Sequence, residues 1–545
     1  MSASPHQWAV EQMAVLNVPV TRLVTDSRAI QRGDTFVAYP GEKSDGRQFI
    51  ANAIRNGANA VIYETLLSGH PGDAHHFAWN EAWQVPRLGV ADLRHRAGWL
   101  ADAVYGMPSE KLWMVGITGT NGKTSVSHWI AHALSAAGKR CAVIGTLGNG
   151  FIGGNGQDAG LKPTANTTPD AVRVHGLLAD YLREGAQSVA MEVSSHALSQ
   201  GRVNGVRFDV AMLTNLSRDH LDYHGDMQSY AAAKRKLFDW QQLGFVVLNL
   251  DDDYGIELAE SLSLQEGRRG VPGGSAATLA QQDADAEVVA YGLSDGALRL
   301  AERLGLRMVY GNLLEMSGQG LKLAVHSSWG AAQLDSALIG RFNAANLLGS
   351  LAVLLVSGVT LNDAVAALGR VQPVRGRMQR LGDAQQPTVV VDYAHTPDAL
   401  EKVLLALREI SIASGGRLLC VFGCGGDRDR GKRAMMGTVA EKYSDLCIVT
   451  SDNPRSENPD QIIAEIVGGM SGKNHQIIVD RTAAIQSAIR RVRCGDTVLI
   501  AGKGHEDYQE INGVKHPFND VSVARQALQS SHALPQAHGK PGGGQ

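Results

Sequence analysis

The segment Gly116-Ile-Thr-Gly-Thr-Asn-Gly-Lys-Thr124 constrains this chain more than any other. It follows the apolar run LWMVGI and opens SVSHWIAHALSAAG, whose apolar spacing predicts a helix. A glycine-rich turn between a buried strand and a helix lets backbone N–H groups converge on phosphate oxygens at the positive end of the helix dipole. Gly119, Thr120, Asn121, Gly122, Lys123, Thr124 and Ser125 are therefore the candidate phosphate cradle. Lys123 would reach the β- and γ-phosphates, and the Thr124 hydroxyl would be offered to Mg²⁺. The common spacing G-x-x-x-x-G-K-[ST] asks for glycine where this chain has Ile117. The loop implies nucleotide binding and leaves open whether the nucleotide serves transfer, hydrolysis or ligation.

The surrounding text sets the fold class. CAVIG, SVAME and DVAML are short apolar runs, and DAVRVHGLLADYLREG has helical spacing, an alternation that predicts a mostly parallel sheet covered by helices. The alternation returns after Val371, where TVVVDY, RLLCVFG, LCIVTS, QIIVD and DTVLIAG read as strands followed by helical text. Earlier, residues 35–38 and 60–63 read as short strands ahead of a linker at Gly106-Met107-Pro108. A length of 545 residues exceeds one compact domain. We expect three α/β domains, over residues 1–106, 107–370 and 371–545. Between about 262 and 335 the signal weakens, and VPGGSAATLAQQDADA reads as a surface excursion with no packing role. The residues from about 533 read as a disordered tail.

Composition removes several classes. Lys+Arg 51 against Asp+Glu 54 gives a formal charge of −3, which argues against a nucleic-acid-coating protein. No apolar run is long enough to span a bilayer, and MSASPHQWAVEQMAVL lacks the features of a signal peptide. Five cysteines, odd in number and mostly in apolar runs, read as reduced thiols. A cytoplasmic monomer with no membrane or nucleic-acid partner is the expectation.

Further motifs choose among the nucleotide chemistries. Thr25-Asp-Ser-Arg28, Gly33-Asp34 and Asp45-Gly46-Arg47 precede the loop. Asn166-Thr-Thr168, Met191-Glu-Val-Ser-Ser-His196, Asn215-Leu-Ser-Arg-Asp-His220 and Ala233-Lys234 follow it. Phe342-Asn343, Gly376-Arg-Met378, Asp392-Tyr-Ala-His-Thr-Pro397 and Phe422-Gly-Cys-Gly-Gly-Asp-Arg428 come next, then Asp452-Asn-Pro-Arg455 and Gly502-Lys-Gly-His-Glu506. Together with TGTNGKT, this ordered set resembles the Mur ligase family, and in particular the member that adds the third residue of the cell-wall peptide. The resemblance implies an N-terminal uridine-nucleotide-binding domain, a central phosphate-loop ATPase domain and a C-terminal Rossmann-like domain that takes the amino-acid acceptor. It implies an ATP- and Mg²⁺-dependent ligase of peptidoglycan precursor synthesis. That enzyme would join meso-2,6-diaminopimelate to UDP-N-acetylmuramoyl-L-alanyl-D-glutamate through an acyl phosphate.

Such chemistry is mostly positioning and charge neutralisation, because three phosphates and a carboxylate must be gathered in one place. Lys123 and Mg²⁺ are the natural devices. Glu192 ends SVAME, where a strand's carboxyl end points into a site, and reads as a Mg²⁺ ligand; alone it could be a capping or salt-bridging carboxylate. His220 is a second ligand by resemblance, directly or through water, and by itself an ordinary loop histidine. Lys234, in SYAAAKRKLFDW, reads by itself as a solvated helix lysine. In the family the aligned lysine is carbamylated, becoming an oxygen donor for a second Mg²⁺.

The same resemblance places the uridine and dipeptide groups at Thr25, Ser27, Glu42, Lys43, Ser44, Asn166, Thr167, Thr168, Ser194, Gln200 and Arg202. These are neutral hydrogen-bonding side chains with two cations and a carboxylate; singly, most would pass for turn or cap residues. Asn343, Arg377, Asp392 and His395 would complete the nucleotide side, although Asp392 could simply cap a strand end. A diamino acid with two carboxylates needs a cation and an anion held apart. Arg428, Asp452, Asn453, Pro454, Arg455, Gly502 and Glu506 are its candidate site, and Arg455 favours meso-diaminopimelate over L-lysine.

Three rival readings each leave part of this motif set unexplained. A folylpolyglutamate or cyanophycin synthetase leaves the N-terminal D-S-R and the D-N-P-R motifs without a purpose. A phosphate-loop kinase or ATPase switch leaves Arg428, Arg455 and Glu506 unexplained. A non-catalytic scaffold has no need of Lys123, Thr124, Glu192 and Lys234 together.

Overall fold

Three large sheets and a two-stranded hairpin, Tyr508–Ile511 with Val514–Pro517, divide the described residues. The computed structural model describes residues 4–42, 44–65, 77–153, 160–164, 166–269, 286–382 and 386–532. Lys43, nearly all of VPGGSAATLAQQDADA and the tail from 533 lie outside the described residues. The first sheet takes Leu23–Val24, Thr35–Ala38, Ala60–Glu64 and Arg87–Val90 in sequence order, all parallel. Helix Leu93–Val104 presents buried Leu93, Ala97 and Leu100 to the same core as Val37, Ile62 and Leu88.

The second sheet has ten strands, with Trp113–Thr118 between Val210–Leu213 and Ser188–Glu192. Seven are parallel, and antiparallel neighbours flank them at both edges. The continuous apolar runs are the strands buried on both faces. The chain departs to either side of Trp113–Thr118, so the crevice at its carboxyl end is a topological switch point. Helix Arg341–Val356, apolar nearly all round, is buried beneath this sheet.

The weak signal between 262 and 335 is corrected by the structure. Glu287–Gly292 and Arg307–Ser317 extend the parallel array, and Gly320–Ser327 with Gly330–Ser336 close it as an antiparallel meander. Val289, Val309, Leu323, Val325 and Leu334 pack into the main core. The meander buries one face and leaves the other wet, so its apolar residues alternate instead of running on.

The third sheet runs Gln379–Leu381, Thr388–Asp392, Thr497–Ala501, Leu418–Phe422, Leu446–Val449 and His475–Ile477. QIIVD is strand only at its start, because Asp480 caps helix Arg481–Arg490 by accepting from the Ala483 N–H at 2.7 Å. The loops holding His395, Arg428, Asp452 to Arg455, and Gly502 to Glu506 all leave carboxyl ends of its parallel strands. Among the described residues no helix is long and apolar enough to cross a membrane. No cysteine is in a disulfide, and Cys141, Cys420, Cys424 and Cys447 are buried.

Candidate active site

The phosphate loop turns from strand Trp113–Thr118 into helix Lys123–Ala136. Gly119 has φ 142°, and a Cβ there would lie 1.9 Å from Thr214 Oγ1, so the turn requires glycine. Lys123 folds back on the loop, its Nζ donating to the carbonyls of Gly119 at 2.7 Å and Thr120 at 2.8 Å. Burial pushes its pKa down. The Thr120 hydroxyl donates to the Ser217 carbonyl at 3.1 Å, and the Asn121 backbone N–H donates to Asn215 Oδ1 at 3.1 Å.

Glu192 is fully buried. Its carboxylate accepts from the Thr124 hydroxyl at 3.0 Å, the Thr146 hydroxyl at 3.0 Å and the Thr146 N–H at 2.8 Å. Thr146 was missed in the sequence, although it follows the strand CAVIG much as Glu192 ends its own. Lys234 is also buried, donates to the Gly119 carbonyl at 2.8 Å and lies 4.6 Å from the Tyr230 ring. Among the described residues it makes no ion pair, and its pKa is driven well down by burial and then by Lys123. His220 takes φ 54°; its Nε2 stands 3.4 Å from Asp219 and its ring 4.8 Å from that of His196. Burial holds His220 down at about 3. Asp219 is held well below the carboxylate range: burial opposes this, but His395 and His220 prevail.

The donor chemistry bears on a metal. Among the described residues no three His, Cys, Asp or Glu side chains are grouped to hold one. Thr124 and Glu192 do offer adjoining oxygens at the loop, which suits Mg²⁺, an ion that keeps most of its water and needs few protein ligands.

On the first-domain side, a polar track leads to Glu192. Gln200 Nε2 bonds Glu42, Arg202 Nε donates to Gln200 Oε1 at 2.7 Å, and Arg202 Nη1 donates to the Thr168 carbonyl at 3.0 Å. The Thr168 hydroxyl donates to the Glu192 carbonyl at 2.8 Å and lies 3.2 Å from Ser194 Oγ. Thr167 meets Thr146 at 3.1 Å, and Thr25 bonds Asp170, the cap of helix Ala171–Arg183. The structure does not bring every candidate into this track. Ser27 is buried against Asn52 and Asn56, Ser44 bonds Gly41 through its backbone carbonyl, and Asn166 accepts from Thr164.

A cavity of about 800 Å³ lies between the second and third sheets. Asn121, Gly122, Ser125, Asn343, Arg377 and Asp392 line it, as expected, with Asn346 and Tyr393 beside them. Arg377 lies 4.3 Å over the Tyr393 ring and donates to Thr124 Oγ1 at 3.2 Å. Asp392 accepts from the Met378 and Ala394 N–H groups, both at 2.7 Å, so the capping role is present, and burial raises its pKa. His395 is not part of the lining; it faces Asp219.

In the third domain, Asp452, Asn453 and Glu506 meet around a residue the sequence reading passed over. Fully buried Lys503 bonds Asn453 Oδ1 at 2.8 Å and Glu506 Oε2 at 3.0 Å, and lies 3.4 Å from Asp452 Oδ1. Its only sequence signal was its place in Gly502-Lys-Gly-His-Glu506. A Cβ at Gly502 would come within 2.7 Å of Asp452, so this motif and Asp452-Asn-Pro-Arg455 interlock. Arg455 bonds the Gly426 carbonyl at 2.7 Å and pairs with Glu510 at 3.3 Å, while Pro454 carries the backbone between. Arg428 is exposed at the rim, bonded to the Asp427 carbonyl. Beside Gly425 lie the Arg455 guanidinium and the aliphatic stem of Arg428.

Three family models match the chain in succession. Residues 19–105 match the family model described as Mur ligase family, catalytic domain; 117–273 match the Mur ligase middle domain; 376–504 match the Mur ligase, glutamate ligase domain. The chain is 49% identical over 521 residues to the UDP-N-acetylmuramoyl-L-alanyl-D-glutamate--2,6-diaminopimelate ligase of Chromobacterium violaceum, covering 96% of this chain and 97% of that one. A solved structure of a UDP-N-acetylmuramoyl-L-alanyl-D-glutamate--2,6-diaminopimelate ligase is similar with TM-score 0.60 and 36% identity, covering 95% of this chain and 96% of that chain. The MurF ligase from Thermotoga maritima in complex with ADP shares the fold, with TM-score 0.57, 18% identity and coverage of 95% and 97%.

Proposed function

The chain belongs to the Mur ligase family, and we propose that it joins meso-2,6-diaminopimelate to UDP-N-acetylmuramoyl-L-alanyl-D-glutamate, driven by ATP, in peptidoglycan precursor synthesis. The observation that carries this reading is that Thr124 of the phosphate loop is met from both neighbouring domains. A polar track runs from Glu42 through Gln200, Arg202 and Thr168 to Glu192, which accepts from Thr124; from the third domain Arg377 donates to Thr124, and its neighbour Gly376 packs on the Gly504-His505 backbone of the loop where Lys503 and Glu506 meet Asp452 and Asn453. The track suits a long anionic donor, the third-domain loop an amino acid carrying extra charges.

The glutamate carboxylate attacks the γ-phosphorus of ATP, and ADP leaves with the bonding pair. The acceptor's neutral amine then attacks the acyl carbon, phosphate departs, and the amine's proton is lost as the amide forms. Lys123, with the loop N–H groups, holds the β- and γ-phosphates. Arg377, stacked on Tyr393, turns its guanidinium toward the same phosphates. Asn343 and Asp392 position the nucleoside in the cavity. Thr124 and Glu192 would hold Mg²⁺, with His220 a further ligand directly or through water, and the ion would supply charge neutralisation for phosphoryl transfer. Lys234, as a neutral amine, adds CO₂ with loss of one proton and becomes a carbamate oxygen donor. Arg428 and Arg455 take the acceptor's distal carboxylate, and Glu506 its distal ammonium. The three domains take residues 1–106, 107–370 and 371–545, and the enzyme works as a cytoplasmic monomer.

The test is phosphate release by the purified protein with ATP, Mg²⁺ and the UDP-muramoyl dipeptide, supplied in parallel with meso-diaminopimelate or L-lysine. Release that needs diaminopimelate, with a UDP-tripeptide product by mass, is the expected result. A preference for lysine overturns the role of Arg455, and release indifferent to both discards the acceptor site.

A further inference from the structure

Lys503 is a lysine with no exposed surface, in a loop whose other named residues bind the acceptor in the reading above, on which this inference rests. A buried ammonium is tolerated only when its charge is matched and its protons are used. Here three N–H groups meet three oxygens, on Asn453 at 2.8 Å, Glu506 at 3.0 Å and Asp452 at 3.4 Å. Arg481 is locked to Asp520 at 2.8 Å with both side chains fully buried, Arg455 pairs with Glu510, Lys515 lies 3.8 Å over the Tyr508 ring and Arg377 4.3 Å over that of Tyr393. The Tyr508 ring lies 5.7 Å from Lys503 Nζ; Tyr393, tilted against His505 at 5.1 Å, is pushed up by burial, and exposed Asp507 completes the loop's titratable groups.

The bonding at Glu506 is one-sided. Lys503 and Asn453 Nδ2, at 2.7 Å, both use Oε2, and among the described residues Oε1 accepts no hydrogen bond. We propose that Lys503 is the built-in counter-ion of the acceptor pocket, a positioning residue that pins Asp452, Asn453 and Glu506. With its two carboxylates ionised, the cluster of Asp452, Glu506 and Lys503 keeps one net negative charge, presented to the acceptor's ammonium by Glu506 Oε1. Without Lys503, two adjacent carboxylates repel and lose their register. One incoming ammonium balances the cluster, which selects a diamino acid over one with an uncharged side chain.

Steady-state ADP release tests this in the full chain, varying diaminopimelate and ATP separately. Lys503→Met should raise KM for diaminopimelate about tenfold or more, the loss of a charge-assisted network, and leave KM for ATP within about twofold. Lys503→Arg, which keeps the charge, should return KM for diaminopimelate toward the wild-type value. Equal rises in both KM values, or a Lys503→Arg variant no better than Lys503→Met in KM for diaminopimelate, would overturn the proposal in favour of a purely structural lysine. Should Lys503→Met give no cooperative melt, Lys503→Arg decides: a KM for diaminopimelate near wild type with unchanged KM for ATP supports the role, and rises in both overturn it. A wild type whose ADP release ignores the acceptor removes the reading of the site and this proposal with it. An acceptor-dependent wild type whose KM for diaminopimelate is unchanged in Lys503→Met removes the proposal alone.

Discussion

Lys123 and Lys234 donate to one and the same carbonyl oxygen, that of Gly119, at 2.7 and 2.8 Å. Two ammonium groups are thus no farther apart than those two bonds laid end to end. Burial pushes both pKa values down, and the Lys123 charge adds to the effect on Lys234. A lysine so placed gives up its proton readily, and conversion to a carbamate replaces a like-charge contact with an attractive one.

Lys234→Ala should therefore lose at least about a hundredfold in kcat, the scale of losing a metal-supporting oxygen donor. Added formate or acetate should restore part of it, and depletion of CO₂ from wild-type assays should lower activity reversibly. Kinetics with and without the carboxylates, with intact mass of the protein under CO₂, check this. A wild type indifferent to CO₂ together with an unrescued variant sinks the carbamate.

Gly145→Ala probes Glu192 without touching it chemically. A Cβ there would lie 2.2 Å from Glu192 Oε1 and 2.8 Å from its carboxyl carbon, so the carboxylate must move. Stability should fall by about 1–3 kcal/mol, as for other overpacked cores. The Mg²⁺ concentration for half-maximal rate should rise, while the KM for diaminopimelate stays near wild type. Magnesium titrations of the rate read this directly, and an unchanged magnesium dependence would separate Glu192 from the metal.

Arg455→Ala should chiefly raise KM for diaminopimelate, by about tenfold to a hundredfold for a lost guanidinium–carboxylate contact, with KM for ATP little changed. The geometry adds a second consequence. Arg455 also ties Gly426 to Glu510, so hydrogen exchange in the hairpin Tyr508–Ile511 and Val514–Pro517 should quicken. Equal losses for both ligands would assign Arg455 to domain packing instead.

Legibility in the sequence followed burial. CAVIG and SVAME became Cys141–Gly145 and Ser188–Glu192 because strands covered on both faces write unbroken apolar text. The meander from Gly320 to Ser336 was illegible because half its residues face water. At the site, Lys123, Thr124 and Glu192 were singled out from the strand–loop–helix context, and the structure places the Thr124 hydroxyl 3.0 Å from Glu192. Thr146 and Lys503 were not, since their meaning lies in partners far along the chain: Glu192 for one, Asp452 and Asn453 for the other. The bond from Asn121 Nδ2 to Asp398, which ties the phosphate loop to the third domain at 3.0 Å, belongs to the same class.

Acid should weaken the third domain through a particular carboxylate. Arg433, fully buried in helix Gly431–Tyr443, donates to both oxygens of Glu457, at 2.8 and 2.9 Å, and to Glu465 at 2.8 Å. Those bonds hold the Glu457 pKa at about 2, against an ordinary value of 4.5. The unfolded chain therefore takes up a proton that the folded chain refuses as pH falls between these values. Glu457 contributes stability that is complete above about pH 4.5 and is lost as the pH falls toward 2. Arg433→Met should be less stable at neutral pH, because Glu457 and Glu465 lose their partner, and its stability should decline less steeply over that acid window. Denaturant unfolding of both proteins at neutral pH, near pH 4.5 and near pH 2 measures the difference, and parallel declines would sink the assignment. Glu457 also accepts the Asp427 N–H at 2.6 Å, next to Arg428. The variant should therefore bind diaminopimelate more weakly even at neutral pH, where ATP binding is untouched.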